Sequence, residues 1–351
     1  MLTIISTTLI SILLSKLIKK ENKSKSLLVF LPILILIVFR WNMAPDTNWG
    51  EGSYYFNYYN IVHGLENLTF KDPFFYIILQ LLSCFKISYW GVLAILGSIY
   101  VLSFCTYIWK YSENRSLSIF LFTGLGLLTL SFGALRQALA ETFILLAYHY
   151  LIDKNHNRKK KAYIFLAIGG FIHASTWFLI PIFAFCNKKW TFNGMIIICG
   201  ASILLFPIIA PLLRIILANS IFANRYLTYE GEFTFSYFIL AIFLLFLLIP
   251  FSKKIEKIYV ENYLEINFMF TFFMIIIYSI VLIDVFRLIS LITPFFLISI
   301  PKIIGLYKNK TTKRIMIIGL IIIVSLIFIN TNKDVQYISI FPNYIEYIKQ
   351  I

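Results

Sequence analysis

Four stretches of the chain hold polar residues of a type and spacing able to do chemistry. In Gly133-Ala-Leu-Arg136-Gln137-Ala-Leu-Ala-Glu141, an arginine and a glutamine open a helix and an acid follows just over a turn deeper. Arg and Gln at a helix N-terminus suit a phosphate group, because the first backbone N–H groups already favour an anion. The plainer alternative is an arginine that snorkels to an interface. Against it stands Glu141, since an ionisable group inside an apolar run lines a cavity or pairs internally. In Phe171-Ile172-His173-Ala174-Ser175, a lone imidazole interrupts an apolar run. Such a histidine is either a satisfied core residue or, in this polar break, a general base or a donor to a sugar or phosphate. In Asp284-Val-Phe-Arg287, the acid and the base stand at i, i+3 and either neutralise each other or leave Arg287 for an anion. With Arg214 and Arg225 from the preceding polar stretch, Arg287 would form a second anion clamp, since arginine makes bidentate bonds to a diphosphate that lysine does not. The fourth stretch packs Asp46 and Glu51 ahead of Tyr54 and Tyr58. Carboxylates among aromatic rings hold sugars by stacking and hydroxyl contacts; an aromatic belt at a membrane interface explains the tyrosines equally well. No second His or carboxylate stands at ligand spacing from His173, and His149 with Asp153 reads as a helix-end pair, so no metal site and no cofactor are expected.

The elements that must position these residues follow from composition. Of 351 residues, 60% are hydrophobic and 13% charged, against about 45–50% and 25% in soluble domains. That excludes a soluble enzyme, a disordered chain and a disulfide-stapled secreted module. The four cysteines, Cys84, Cys105, Cys186 and Cys199, form no CxxC pair and read as packing residues. The expected fold is all-α, a polytopic integral membrane helical bundle forming one domain over residues 1–351, with 11 or 12 crossings. Its apolar runs are Leu2–Ile18, Leu27–Trp41, Tyr89–Trp109, Leu117–Ala134, Leu135–Ile152, Ala162–Phe185, Phe192–Leu213, Phe233–Phe251, Ile266–Ile283, Leu288–Leu306 and Ile315–Asn330. The first has no cleavage site after it and is expected to be a retained helix. Phe74–Phe85, which follows Asp72-Pro73, is too short to cross and is expected to be interfacial or re-entrant.

Basic residues orient the bundle. Lys16–Lys25, Lys154–Lys161 and Lys302–Arg314 each carry five Lys or Arg and are expected on the cytoplasmic side, against the anionic lipid of the membrane. The formal charge of +15 is thereby a matter of topology, and no nucleic-acid partner is expected. The second and third clusters share a side only if one segment is doubled. Breaking Ala162–Phe185 at Gly169–Ser175 puts 22 Lys/Arg inside and 8 outside, whereas a single pass gives 17 and 13. The region of Pro207 and Pro211 is a second place for such a break. The outer loops are then about 42–73, 214–232 and 284–287, with Arg136 and His173 at two further outer turns.

In their order along the chain these motifs resemble the EpsG/Wzy-like family of bacterial polysaccharide polymerases. An Asp followed by spaced tyrosines falls in the first outer loop, though at longer spacing than the family's tight Asp-x-x-Tyr. An Arg-Gln-x-(Leu/Ile)-Ala element follows as Arg136-Gln137-Ala138-Leu139-Ala140, and a His-x-Ser/Thr element as His173-Ala174-Ser175. Arg287 opens a helix that runs to Pro294, and Phe341-Pro342-Asn343-Tyr344 resembles the closing Pro-Tyr element. The resemblance implies a multi-pass, GT-C-like glycosyltransferase that uses no metal. Its substrate would be an undecaprenyl-diphosphate-linked oligosaccharide, polymerised at the outer face of the bacterial cytoplasmic membrane for capsule, O-antigen or exopolysaccharide. A flippase and a chain-length regulator would be its partners. Arg136 and Arg287, with Gln137 and with Arg214 or Arg225 assisting, would hold the diphosphate, and Tyr54 and Tyr58 the sugar. The base would be His173 or one of Asp46, Glu51 and Glu141.

Two other classes remain open on the residues alone: a flippase for lipid-linked oligosaccharide, and a membrane O-acyltransferase of polysaccharide. Transporters often show inverted repeats, and none is visible here. An acyltransferase would need the His and no outer arginine pair. The orientation has its own check. A Lys308→Cys variant is expected to stay unlabelled by an impermeant thiol reagent in intact cells, read against the parent chain; labelling would reverse the topology.

Overall fold

The computed structural model describes residues 1–18, 25–40, 54–63, 72–152, 156–218, 235–279 and 285–332. Their regular structure is helical, and no strand occurs among the described residues. The chain divides into two compact units, one of Met1–Trp177 with Phe328–Ile351 and one of Phe178–Ile327. The first holds α1 (Leu2–Leu17), α2 (Ser26–Val38), α3 (Tyr54–Val62), α4 (Pro73–Cys84), α5 (Tyr89–Tyr111), α6 (Arg115–Gly124), α7 (Leu127–Gly133), α8 (Leu135–Ile152) and α9 (His156–Ile172). After a 3-10 turn at Ala174–Phe178 come α10 (Leu179–Cys186), α11 (Phe192–Ala218), α12 (Phe235–Phe246), α13 (Ile255–Glu261), α14 (Tyr263–Ser279), α15 (Val285–Gly305) and α16 (Lys310–Asn332), with a second 3-10 turn at Ile249–Lys254. The chain is thus an all-α helical membrane protein.

By length and composition α5, α11, α15 and α16 can each cross a membrane, and two bent helix pairs raise the number from 4 to 6. Other apolar stretches form shorter helices, among them α1, α2, α4 and α14, while Leu135–Ile152 forms the 18-residue α8. Breaks account for much of the difference from the run lengths read in sequence. Gly126, at φ 79°, divides Leu117–Ala134 into α6 and α7, bent by 43°. That left-handed backbone suits glycine because a Cβ would crowd the following carbonyl. The run Ala162–Phe185 breaks at His173, as expected. At the alternative place α11 continues through Pro207 and Pro211. Prolines are tolerated in apolar helices where neighbouring groups satisfy the freed carbonyls.

Capping explains several helix starts. Ser88 accepts a hydrogen bond from the Gly91 N–H at 3.2 Å to open α5, and Asn114 accepts from Leu117 N at 3.2 Å to open α6. In the first unit, small residues join helices where apolar side chains alone would leave no preference for one partner. Thr8 and Thr123 share a hydrogen bond of 2.9 Å between α1 and α6, and Ser15 and Ser116 one of 2.7 Å. Where α2 meets α5, Gly97 admits Ile37: a Cβ there would lie 2.3 Å from Ile37 Cγ2.

In the second unit, α14 and α15 meet through Phe268 and Phe295, with ring centroids 4.3 Å apart, and through Phe272 and Phe296. One end of α14 is tied by Asn267, whose amide donates to the carbonyls of Cys186 and Lys188 and accepts from Tyr259. Lys302 pairs with Glu265 there. Most of α15's apolar window is buried, 78%, against 11% for α11, so α15 runs through the core while α11 turns Ile197 and Leu204 outward.

Two glycines test this packing in opposite directions. Gly97→Ala should lower stability by about 1–3 kcal/mol, the usual cost of overpacking. Gly200, in mid α11 with open space around it, should tolerate Gly200→Ala or gain up to about 1 kcal/mol of helix propensity. Thermal unfolding of the two variants in detergent checks both; equal midpoints would show that Ile37 does not need the gap.

Candidate functional site

The polar end of the first unit is built around one carboxylate. Asp72 stands directly before Pro73, where sequence reads a helix start. Its backbone is left-handed, φ 58° and ψ 53°, and its side chain makes no capping bond to α4. Instead Oδ2 pairs with Arg136 Nη1 at 2.8 Å, and Oδ1 accepts from the Ala174 N–H at 3.0 Å. The Asp72 side chain is 2% exposed, and that of Arg136 is 21% exposed. A single buried acid therefore joins the start of α4, the start of α8 and the turn that follows His173.

An apolar floor lies beneath this junction. Tyr58 of α3, Phe75 and Leu79 of α4, Leu93 of α5, Leu139 of α8 and Ile172 of α9 pack as one cluster. Two glycines let the break at His173 close tightly. A Cβ on Gly169 would come within 3.0 Å of Thr176 Cγ2 and 3.5 Å of the Ala140 carbonyl. A Cβ on Gly170 would strike the Trp177 indole at 2.5 Å. His173 ends α9, its N–H bonded to Gly169 O at 2.8 Å, while its carbonyl accepts from Thr176 N at 2.9 Å. The histidine is 6% exposed. Phe171 stacks on Phe74 at 5.0 Å and meets Trp177 edge-on at 5.1 Å, bracing α4 against the turn.

Deeper in the same unit, Glu141 is fully buried. It lies five residues beyond Arg136, a rise of about 7.5 Å along α8. Tyr100 Oη lies 2.9 Å from both Glu141 Oε2 and the Leu127 carbonyl, and the Gln137 amide bonds to the same acid from a turn above. Gln137, 4% exposed, thus faces Glu141 inside the bundle.

Of the residues singled out from sequence, Arg136, Gln137, Glu141, His173 and Tyr58 share this unit. Tyr58 is buried, and its hydroxyl donates to the Ile87 carbonyl. Tyr54 lies on α3, Arg214 on α11 and Arg287 on α15, with their side chains outside the described residues; Asp46, Glu51 and Arg225 fall outside them altogether. Two residues escaped the sequence reading. Asp72 was hidden by its place before a proline, where it marked only the start of a short apolar run. Arg40 is 1% exposed, with Nη2 3.4 Å from the Leu93 carbonyl and its guanidinium 5.9 Å from the Phe132 ring centroid. Its signal was available: an arginine closing an apolar run is costly unless held by the interior.

Fold and site together describe a helical membrane protein with an arginine, a histidine and a bridging carboxylate at one end of a bundle. The EpsG family model matches residues 3–345, and the chain belongs to the EpsG family. That membership supports a function of the polysaccharide-polymerase type in general. No curated protein and no solved structure matches the chain.

The interior of the site makes a prediction of its own. Tyr100→Phe removes the phenol that reaches Glu141 and Leu127, so stability should fall by about 1–3 kcal/mol, the cost of leaving a buried polar group without its partner. Thermal unfolding in detergent measures this, and an unchanged midpoint would separate Glu141 from Tyr100 energetically.

Proposed function

We propose that this chain is a polysaccharide repeat-unit polymerase at the outer face of the bacterial cytoplasmic membrane. It transfers a growing glycan from undecaprenyl diphosphate onto a hydroxyl of a lipid-linked repeat unit. The observation that supports the reading most is the joining of Arg136 to the His173 turn through Asp72, in a chain of the EpsG family.

The chemistry follows from what must be charged and what must lose a proton. An acceptor hydroxyl attacks the anomeric carbon of the growing chain. The bond from that carbon to the diphosphate oxygen breaks, and the diphosphate leaves with the electron pair. Negative charge grows on it in the transition state, where an oriented guanidinium does the most good. Arg136 meets that need at the polar end of the first unit; Arg287, the second arginine expected from the sequence, lies on α15, and a variant of its own tests its part in binding the diphosphate. The proton of the attacking hydroxyl goes to a base. His173 suits that task better than Glu141, because its turn is joined to Arg136 through Asp72 whereas Glu141 lies deeper along α8.

In a deletion strain, Arg136→Ala and Arg287→Ala are each expected to insert at parent levels and to stop chain growth. Single repeat units should accumulate on the outer leaflet, as seen in the polymer-length ladder and in the lipid-linked pool. Full-length polymer from both variants would remove the clamp. Repeat units held on the inner leaflet would point to a flippase.

A further inference from the structure

Asp72 does more than pair with one arginine. Its two oxygens serve two different segments, Oδ2 the Arg136 guanidinium and Oδ1 the backbone N–H next to His173, at 2.8 and 3.0 Å. The acid is 64 residues from one partner and 102 from the other. Its left-handed backbone is uncommon for a residue with a Cβ and marks a position fixed by its surroundings. Pro73 at the first position of α4 and the Phe74–Phe171 stack hold that backbone in place. The carboxylate is almost fully buried while the guanidinium keeps a fifth of its surface exposed. One edge of Arg136 is thus anchored inward, which sets the plane of the group and the direction of its other donors.

We propose that Asp72 is the positioning residue of the transfer site, fixing the Arg136 guanidinium and the His173 turn in one mutual arrangement. The inference rests on the polymerase reading above, in which Arg136 holds the leaving diphosphate and His173 takes the acceptor proton. Asp72 touches neither substrate. It acts by orientation: a guanidinium swung by an ångström no longer faces the oxygen on which charge develops. A carboxamide at this position has nearly the same shape and keeps one acceptor for Ala174 N, but it loses the charge that holds the arginine.

The test uses membrane vesicles carrying the full chain, supplied with lipid-linked repeat units. Asp72→Asn should accumulate at the parent level and lower kcat about 10- to 100-fold with a smaller change in KM. The double variant Asp72→Asn/Arg136→Ala should be no slower than Arg136→Ala alone, since the acid acts through the arginine. Added guanidinium ion should restore part of the activity of Arg136→Ala, several-fold or more, and should restore none when Asp72→Asn is also present. A merely structural role would not move that rescue. Losses that multiply in the double variant, or equal rescue with and without Asp72, would overturn the proposal. If Asp72→Asn fails to accumulate, Asp72→Glu keeps the charge and shifts it by a methylene. A reduced rate at parent protein level then supports positioning, and the parent rate overturns it. The two readings fail separately. Parent-rate polymer from Arg136→Ala would sink the role of Arg136 on which this proposal rests, whereas loss in Arg136→Ala with the parent rate in Asp72→Asn would sink only the role of Asp72.

Discussion

A charged group inside an apolar helical bundle has to find its partner within the protein, because hydrocarbon offers none. That constraint organises the first unit from its polar end inward. Asp72 is answered by Arg136 and by a backbone N–H. Glu141 is answered by Tyr100 and Gln137. Arg40 reaches the Leu93 carbonyl. Each of these bonds joins residues from different helices or from helix and turn, except that between Gln137 and Glu141, which share α8. The polar groups therefore do what apolar side chains cannot do in lipid, which is to choose one arrangement among many of similar packing energy.

Close approach is the second condition for those bonds, and glycine supplies it at a few points. Gly97 lets α2 come near enough to α5 for Arg40 to lie against it; a Cβ at that position would stand 3.1 Å from Arg40 Nη1. Gly169 and Gly170 bring the end of α9 against α8 and fold Trp177 back over the chain. Without that fold the Ala174 N–H would not meet Asp72. The same turn that presents His173 is thus made possible by two residues that carry no chemistry.

What sequence made legible was whatever depended on local pattern. The all-α membrane class followed from composition, and the break at His173 followed from glycines and polar residues inside an apolar run. Arg136 stood out because positive charge is rare on the face to which it was assigned. The rest depended on partners distant in the chain. Asp72 entered only as the residue before Pro73 at the start of a short apolar run, yet its backbone turns the carboxylate toward residues 64 and 102 positions away. Gly126 looked like one glycine among several, and only its positive φ shows that a helix bends there. Pro207 and Pro211, the alternative place for a break, do not interrupt the helix, since α11 continues past both.

An ion pair in such a place is poorly explained by stability. Removing two charges from water costs several kcal/mol, and a well-packed apolar pair is often as stable or more so. Leucines at 72 and 136 would satisfy an apolar bundle at lower desolvation cost. They would leave the Ala174 N–H without an acceptor, and they would leave the end of α8 without a cation. Bound to a carboxylate, the arginine adds no net charge at that end of the first unit. What the pair supplies is direction: the guanidinium is a rigid plane of five N–H donors, and Asp72 fixes that plane through Nη1. Donors held in one direction are preorganised, and preorganisation of this kind counts for more in a transition state than attraction from a distance. The physical case for the site is therefore geometric: one buried acid fixes how an arginine and a histidine turn face each other, and the surrounding helices exist in the right places to keep that acid where it is.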